Sequence, residues 1–224
     1  MINTGTLGNP TGSRTLDVLL TVIWIVGICN SINFFDNMDG GAAGAVAFSS
    51  SGIAFLAWHS GQSFLAALAL LTAGATFGFL IWNKSPAKIY MGDAGALFLG
   101  VLIAILAIRL DPTTQSRAIS LSIPLLLLAV PILDTTVVVI SRLRRKLSVF
   151  QGGQDHLSHR LVIKGLSRKN AVVLLWLLSV LFVIISILVS LLSLTFEILF
   201  LTIGGVIWLL LLVLFLKVPV GKKI

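Results

Sequence analysis

Seven apolar runs separated by short polar stretches make up most of this sequence, at about 17–35, 42–58, 64–82, 94–110, 119–140, 170–192 and 195–216. Each approaches the roughly 20 residues that a helix needs to cross about 30 Å of hydrocarbon. Open sheets are excluded for such segments, because unpaired backbone groups in lipid cost several kcal/mol each. The run at 42–58 is the least apolar and is rich in Ala, Gly and Ser, a composition suited to tight packing between helices. Residues 1–16 are polar and turn-rich, with no basic start leading into an apolar stretch, and read as an external polar segment rather than a cleavable signal. The pattern predicts an all-α fold, a polytopic integral membrane helical bundle of about seven transmembrane helices, with one membrane domain over 17–224.

Composition agrees: 57% of residues are hydrophobic and 11% charged, with a mean hydropathy of +1.07. A soluble domain carries about a quarter charged residues, so that class is excluded. The single cysteine, Cys29, lies in the first run and rules out an internal disulfide.

Charge orients the bundle. Of the 16 Lys and Arg, three (Arg14, Arg109, Arg117) fall on one side of a seven-span layout and the remaining thirteen on the other. The positive-inside rule makes that basic side cytoplasmic and the N-terminus external. A net charge of +8 therefore reads as topology and contact with anionic lipid, with no nucleic-acid partner implied.

Three polar stretches gather on the basic side. The first is "NSINFFDNMDGG", residues 30–41, where a continued helix would align Asn30, Asn33, Asp36 and Asp39 at three-residue steps. Such a face can hold a nucleotide's hydrogen-bonding edge or a metal-bound diphosphate; the alternative is a capping turn between two spans. In the second, residues 83–100, "MGDAG" sets Asp93 at a helix start, where free N–H groups favour phosphate and a carboxylate can hold a divalent ion. Asn83 and Tyr90 are plausible partners for a base in the same stretch, and helix capping by Asp93 is the plainer reading. The third is the long loop 141–169, with His156 and His159 three apart and Arg160 adjacent. No cysteine or further histidine completes a zinc set there, so phosphate binding fits better than zinc. Asp134, eight residues before Arg142, is expected about 12 Å inside the fifth span at 1.5 Å per residue. An intramembrane carboxylate is a functional candidate by default, with helix packing as its alternative.

In order and spacing, "NSINFFDNMDGGAAG", "FLIWNKSPAKIYMGDAGALFLG" and "PILDTTVVVISRLRRKLSVFQGGQDHLSHRLVIKGLSRKNAV" resemble the polyprenyl-phosphate N-acetylhexosamine-1-phosphate transferases, glycosyltransferase family 4. The resemblance runs from about Ile23 to the C-terminus. It implies transfer of a sugar 1-phosphate from a UDP-sugar to a membrane polyprenyl phosphate, with release of UMP and use of Mg²⁺, in the building of cell-wall or surface polysaccharide. By the same resemblance Asp93 matches the metal-binding position, Asp36, Asp39, His156 and His159 the catalytic cleft, and Asn30, Asn33, Asn83, Tyr90 and Arg160 the nucleotide-sugar pocket. The histidine loop looks like that of the N-acetylglucosamine-type members.

Three departures from the family pattern stand out. Ser158 replaces a histidine common in the family, Asn37 replaces a glycine, and the Asp-Asp pair that the family carries in an earlier cytoplasmic loop does not occur in this sequence. The resemblance therefore implies a chain lacking the N-terminal part of the family pattern. Such a chain is expected not to turn over substrate alone, and its unpaired apolar faces would be completed by further helices or a second copy. A transporter or flippase is the rival reading, but transport spreads polar residues through several span centres, whereas here they concentrate at span ends. A non-catalytic membrane scaffold is the other.

The charge split predicts that residues 36–41, 83–93 and 141–169 all face the cytoplasm of a cell membrane. Single cysteines placed in these loops in a Cys29→Ser background should react with an impermeant thiol reagent only after the membrane is opened. Labelling of any of them from outside intact cells would refute the layout.

Overall fold

The computed structural model describes residues 11–112, 114, 116–149 and 153–220. The first ten residues of the polar N-terminal segment, and Lys222 and Lys223 of the charge split, lie outside them. Among the described residues the fold is all-helical: α1 (Arg14–Phe35), α2 (Gly41–His59), α3 (Ser63–Asn83), α4 (Gly92–Arg109), α5 (Arg117–Leu127), α6 (Ala129–Arg144), α7 (Leu157–Ile163), α8 (Arg168–Leu191) and α9 (Leu194–Lys217). Six of the seven apolar runs become single helices long enough to span, each within three residues of the predicted bounds. Helix α1 begins at Arg14, so residues 14–16 of the polar segment are already helical.

The fifth run departs from expectation. Instead of one helix it is two, α5 and α6, bent by 77° at Leu128. The cause is Pro131, which has no N–H to donate to the carbonyl of Leu127 four residues earlier and whose ring crowds it. That carbonyl is satisfied from another helix, by the Ser49 hydroxyl of α2 at 2.6 Å. The Trp208 indole N–H of α9 adds a bond to Ala129 O at 3.0 Å. The Ser49 hydroxyl thus fills the gap in the ladder, as burial in an apolar medium requires. Because the end of α6 meets the end of α1, and α5 begins beyond the far end of α4, the bent pair still counts as one crossing.

Helix α2 lies at the centre, packed on α3 and α8 and buried over most of its length. Its small residues make this possible. A Cβ at Gly44 would fall 2.0 Å from Trp176 Nε1, and one at Gly52 would fall 2.7 Å from Val183. The expectation from its Ala/Gly/Ser content is met. Helix α9 is the opposite case, an apolar rod burying only Glu197, Gly204 and Phe215. Its exposed leucines, like those on the outer faces of α1 and α3, form the continuous apolar surface that lipid covers. The protein is a multi-pass membrane protein.

Helices α1 and α4 carry the acidic residues and cross closely, backbone against backbone. A Cβ on Gly100 would lie 2.7 Å from Cys29 Cα and 2.9 Å from its carbonyl oxygen. Gly100→Ala should therefore push the two helices apart and lower stability by about 1–3 kcal/mol. Gly74→Ala in α3 meets nothing within 4 Å and should be neutral or slightly stabilising. Thermal unfolding of both variants in the same detergent separates the two outcomes.

Candidate functional site

Helix α1 stops at Phe35, and Asp36 takes the C-cap position, its N–H reaching Ile32 O and Asn33 O. The chain turns at Gly40, where φ of +77° suits glycine, and α2 starts. The loop is tied down on three sides. Gly40 N–H donates to Asn83 Oδ1 at 3.0 Å, Ala87 N–H donates to Asp39 Oδ2 at 3.1 Å, and Trp176 Nε1 of α8 donates to Gly40 O at 3.0 Å. Asn83 completes the clamp by donating to Ile89 O at 2.9 Å.

These contacts correct two expectations. The aligned polar face ends with the helix: Asn30 is turned back on its own helix, donating to Val26 O at 2.7 Å, and Asp39 has left the helix altogether. Asn83, placed by the resemblance in the nucleotide pocket, is buried with both ends of its amide bound to backbone. It holds the 36–41 and 83–91 loops together. Tyr90 is 76% exposed on that second loop, free to meet a ligand from solvent.

The acids that remain at the centre are Asp36 and Asp93. Asp93 sits in the first turn of α4, linked to α1 by the Asn33 amide, which donates to its Oδ1 at 3.4 Å. Neither acid supplies a side-chain cap to a helix N-terminus. Burial, and then the charge of Asp93, push the Asp36 carboxyl up to about 6. A half-buried carboxylate beside the exposed Asp93 makes a like-charge pair, which is what a divalent cation relieves. Among the described residues no cluster of three or more His, Cys, Asp or Glu forms a metal site. One or two carboxylates, with water and phosphate filling the other positions, is the donor set Mg²⁺ ordinarily takes. The residues present fit that ion.

Beneath the acids lies a loop held by buried charge. Arg142, at the end of α6, donates from Nε and Nη2 to the two oxygens of Asp155 at 2.9 and 2.8 Å, and from Nη1 to Val149 O at 2.6 Å. Arg145 adds a bond to Asp155 Oδ2 at 2.9 Å. Burial alone would raise the Asp155 carboxyl, but the bonds and charge of Arg142 outweigh it and hold it below its ordinary value. Arg160 is turned the other way. Its guanidinium binds Asp155 O at 2.9 Å and caps α9 through Phe215 O and Val218 O at 2.8 and 2.6 Å. Arg160, which the resemblance assigns to the nucleotide pocket, is 1% exposed and ties the loop to the last helix, and among the described residues its Nη2 has no partner.

The clamp presents α7 to the end of α1. His156 packs edge-on against Phe34, with ring centroids 6.2 Å apart, and lies 6.1 Å from His159. Its Nδ1 is 2.7 Å from Asp134 Oδ2, while Leu157 N–H donates to Asp134 Oδ1 at 2.7 Å. Burial, and then the charge of His156, hold the His159 imidazole below its ordinary value. Ser158 donates to Asn37 Oδ1, so the two departures from the family pattern are partners of one another. Sequence reasoning missed the Arg142–Asp155 pair, which nothing in the loop's spacing announces. It singled out Asp134 by depth alone, without finding its partner. A cavity of about 180 Å³ borders Asp39, lined by Lys84, Ser85, Lys169 and Trp176 among others.

Comparison with known proteins adds an independent line. A sequence profile of glycosyl transferase family 4 matches residues 2–111. The chain is 42% identical over 163 residues to the probable undecaprenyl-phosphate N-acetylglucosaminyl 1-phosphate transferase of Bacillus subtilis, an alignment covering 73% of this chain and 45% of that protein. It is 33% identical over 191 residues to the decaprenyl-phosphate N-acetylglucosaminephosphotransferase of Mycobacterium leprae, covering 77% and 48%. It is 34% identical over 173 residues to the phospho-N-acetylmuramoyl-pentapeptide-transferase of Anoxybacillus flavithermus, covering 75% and 50%. The chain spans about half the length of the curated relatives it matches.

Asp155→Asn should leave Arg142 buried with its charge uncompensated and lower stability by about 3–5 kcal/mol. The sign of the pH dependence follows from the depressed folded value. The carboxylate's contribution is present above its unfolded pKa of about 3.9 and is lost as pH falls through the folded one. Denaturation curves of the two proteins should therefore converge as the buffer is acidified below about pH 4.

Proposed function

The chain belongs to glycosyl transferase family 4, and from that premise we propose that its site serves the transfer of a sugar 1-phosphate, N-acetylglucosamine 1-phosphate, from a UDP-sugar to a polyprenyl phosphate. The observation that carries this reading is the pairing of Asp36 with Asp93 at one end of the bundle, linked through Asn33, with His156 packed on Phe34 of the same helix end. The printed names of the relatives support the same chemistry.

In the transfer, an oxygen of the lipid phosphate attacks the sugar-bearing phosphorus of the nucleotide sugar. The bond from that phosphorus to the bridging oxygen breaks, and UMP leaves with the electron pair. Asp93 would hold Mg²⁺, with Asp36 beside it, and when bound that ion would supply positive charge against the diphosphate. Asp36 orients the attacking phosphate or takes its proton. Asp39 is fixed by Ala87 N–H at the edge of the cavity, where one oxygen is left for the nucleotide. Tyr90 offers its exposed ring to the base. His156 and His159 face the negative charge of donor or acceptor from α7. The site end of the bundle is cytoplasmic in this reading, where a soluble nucleotide sugar meets a lipid phosphate at the surface of the cell membrane.

Asp93→Asn should abolish divalent-ion-dependent UMP release from UDP-N-acetylglucosamine and undecaprenyl phosphate while the protein remains folded. The assay is run on residues 1–224 alone and again with any helices encoded upstream supplied. Turnover only in the second arm is expected, because the family's aspartate pair is not in this sequence. Undiminished turnover of Asp93→Asn in an active arm would remove Asp93 from the site.

A further inference from the structure

Asp134 lies wholly buried in α6, bonded to two groups of the α7 segment. We propose that it is a positioning residue that fixes the tautomer of His156, so that the ring offers Nε2 to the phosphate chemistry; the role in chemistry rests on the transferase reading above.

The assignment follows from counting donors. Leu157 has a backbone N–H that can only donate, so Asp134 Oδ1 must accept it. Asp134 Oδ2 and His156 Nδ1, 2.7 Å apart, then share a single proton. A carboxylate can only accept, so the ring nitrogen is the donor and the proton sits on Nδ1. His156 therefore carries Nδ1–H, and Nε2 keeps its lone pair. Among the described residues no hydrogen bond engages Nε2. The ring cannot swing away, because Phe34 packs edge-on against it from α1 and the clamp holds the preceding residue, Asp155. Neutral, Nε2 accepts a proton or a hydrogen bond. Protonated, it donates to a phosphate oxygen, and Asp134 stabilises the cation that forms. A buried carboxylate with no ligand contact of its own thus acts through the histidine it holds, the relationship known from triads in which an acid orients a catalytic imidazole.

Replacing Asp134 by Asn gives a sharp test, because the amide has one oxygen where the carboxylate has two. That oxygen is claimed by Leu157 N–H. The NH₂ group is then left facing Nδ1, which must become an acceptor, and the ring proton moves to Nε2. Shape and burial stay nearly unchanged while the tautomer inverts.

The experiment is nitrogen-15 NMR of the histidine rings of the protein in detergent, with His156→Gln identifying the His156 signals among the three histidines. The unmodified protein should show His156 as the Nδ1–H tautomer, and D134N should show Nε2–H. In the active preparation D134N should lose about 10²-fold or more in kcat, the scale of a lost acid–base partner, with KM for the nucleotide sugar changed far less. An Nε2–H tautomer in the unmodified protein overturns the proposal, whether or not D134N folds. So does a D134N protein that inverts the tautomer and turns over normally. The tautomer measurement needs no turnover, so a failure of the transferase reading would show as missing activity with the Nδ1–H signature intact.

Discussion

The histidine loop of the candidate site depends on one buried ion pair, Arg142 with Asp155. The loop between α6 and α8 is long and polar, and nothing in its own composition would hold it against an apolar bundle. The bidentate pair anchors it at one point, and the neighbouring contacts then fall into place: His156 under Phe34, Ser158 on Asn37, Arg160 on the last turn of α9. Removing charge from water is expensive, and a pair this deep repays it only through good geometry and additional hydrogen bonds. Both conditions hold here, since Asp155 receives Arg145 as well and Arg142 also serves Val149 O. The pair's worth lies less in net stability than in specifying one arrangement of the loop.

The bundle contributes the other half of the arrangement by a different route. Polar groups are gathered at helix ends on one side because the interior cannot hydrate them, and there they are shared between helices. Asn83 joins two loops, Trp176 reaches from α8 to the turn at Gly40, and Asn33 bridges α1 to α4. Among the described residues Asp36 and Asp93 form no ion pair, so their charge is open to a phosphate-bound cation.

The spans were legible in the sequence because hydropathy is a cumulative signal, and their ends fell close to prediction. The break at Leu128 was not, although Pro124 and Pro131 stood in plain sight; a proline inside an apolar run reads as a tolerated kink until a partner such as Ser49 is seen to take the freed carbonyl. At the site, motif reasoning singled out Asp36, Asp93 and His156; Asp36 feels the charge of Asp93, and His156 packs on Phe34 two residues before Asp36. Asn30, Asn83 and Arg160 were assigned to ligand by the motifs they lie in, yet each gives hydrogen bonds to backbone, Arg160 through Nε and Nη1. Polarity in a membrane protein signals either a ligand or an orphaned peptide group, and only geometry separates the two. The comparisons fix the family where motif order had suggested it.

The bend at Leu128 has a mechanical meaning. With its ladder to α5 cut, α6 is a lever pivoting near that residue, steadied by two side-chain bonds rather than by a continuous helix. Arg142 lies fourteen residues from the pivot, about 21 Å at 1.5 Å per residue, so a tilt of about 5° sweeps it by about 2 Å. Asp134, six residues along, moves less than half as far. A small rocking of α6 would therefore shift the loop's anchor more than the histidine's own support, shearing α7 beneath the acids. The broken helix thus gives the bundle a pivot whose long arm carries the anchor of the histidine loop.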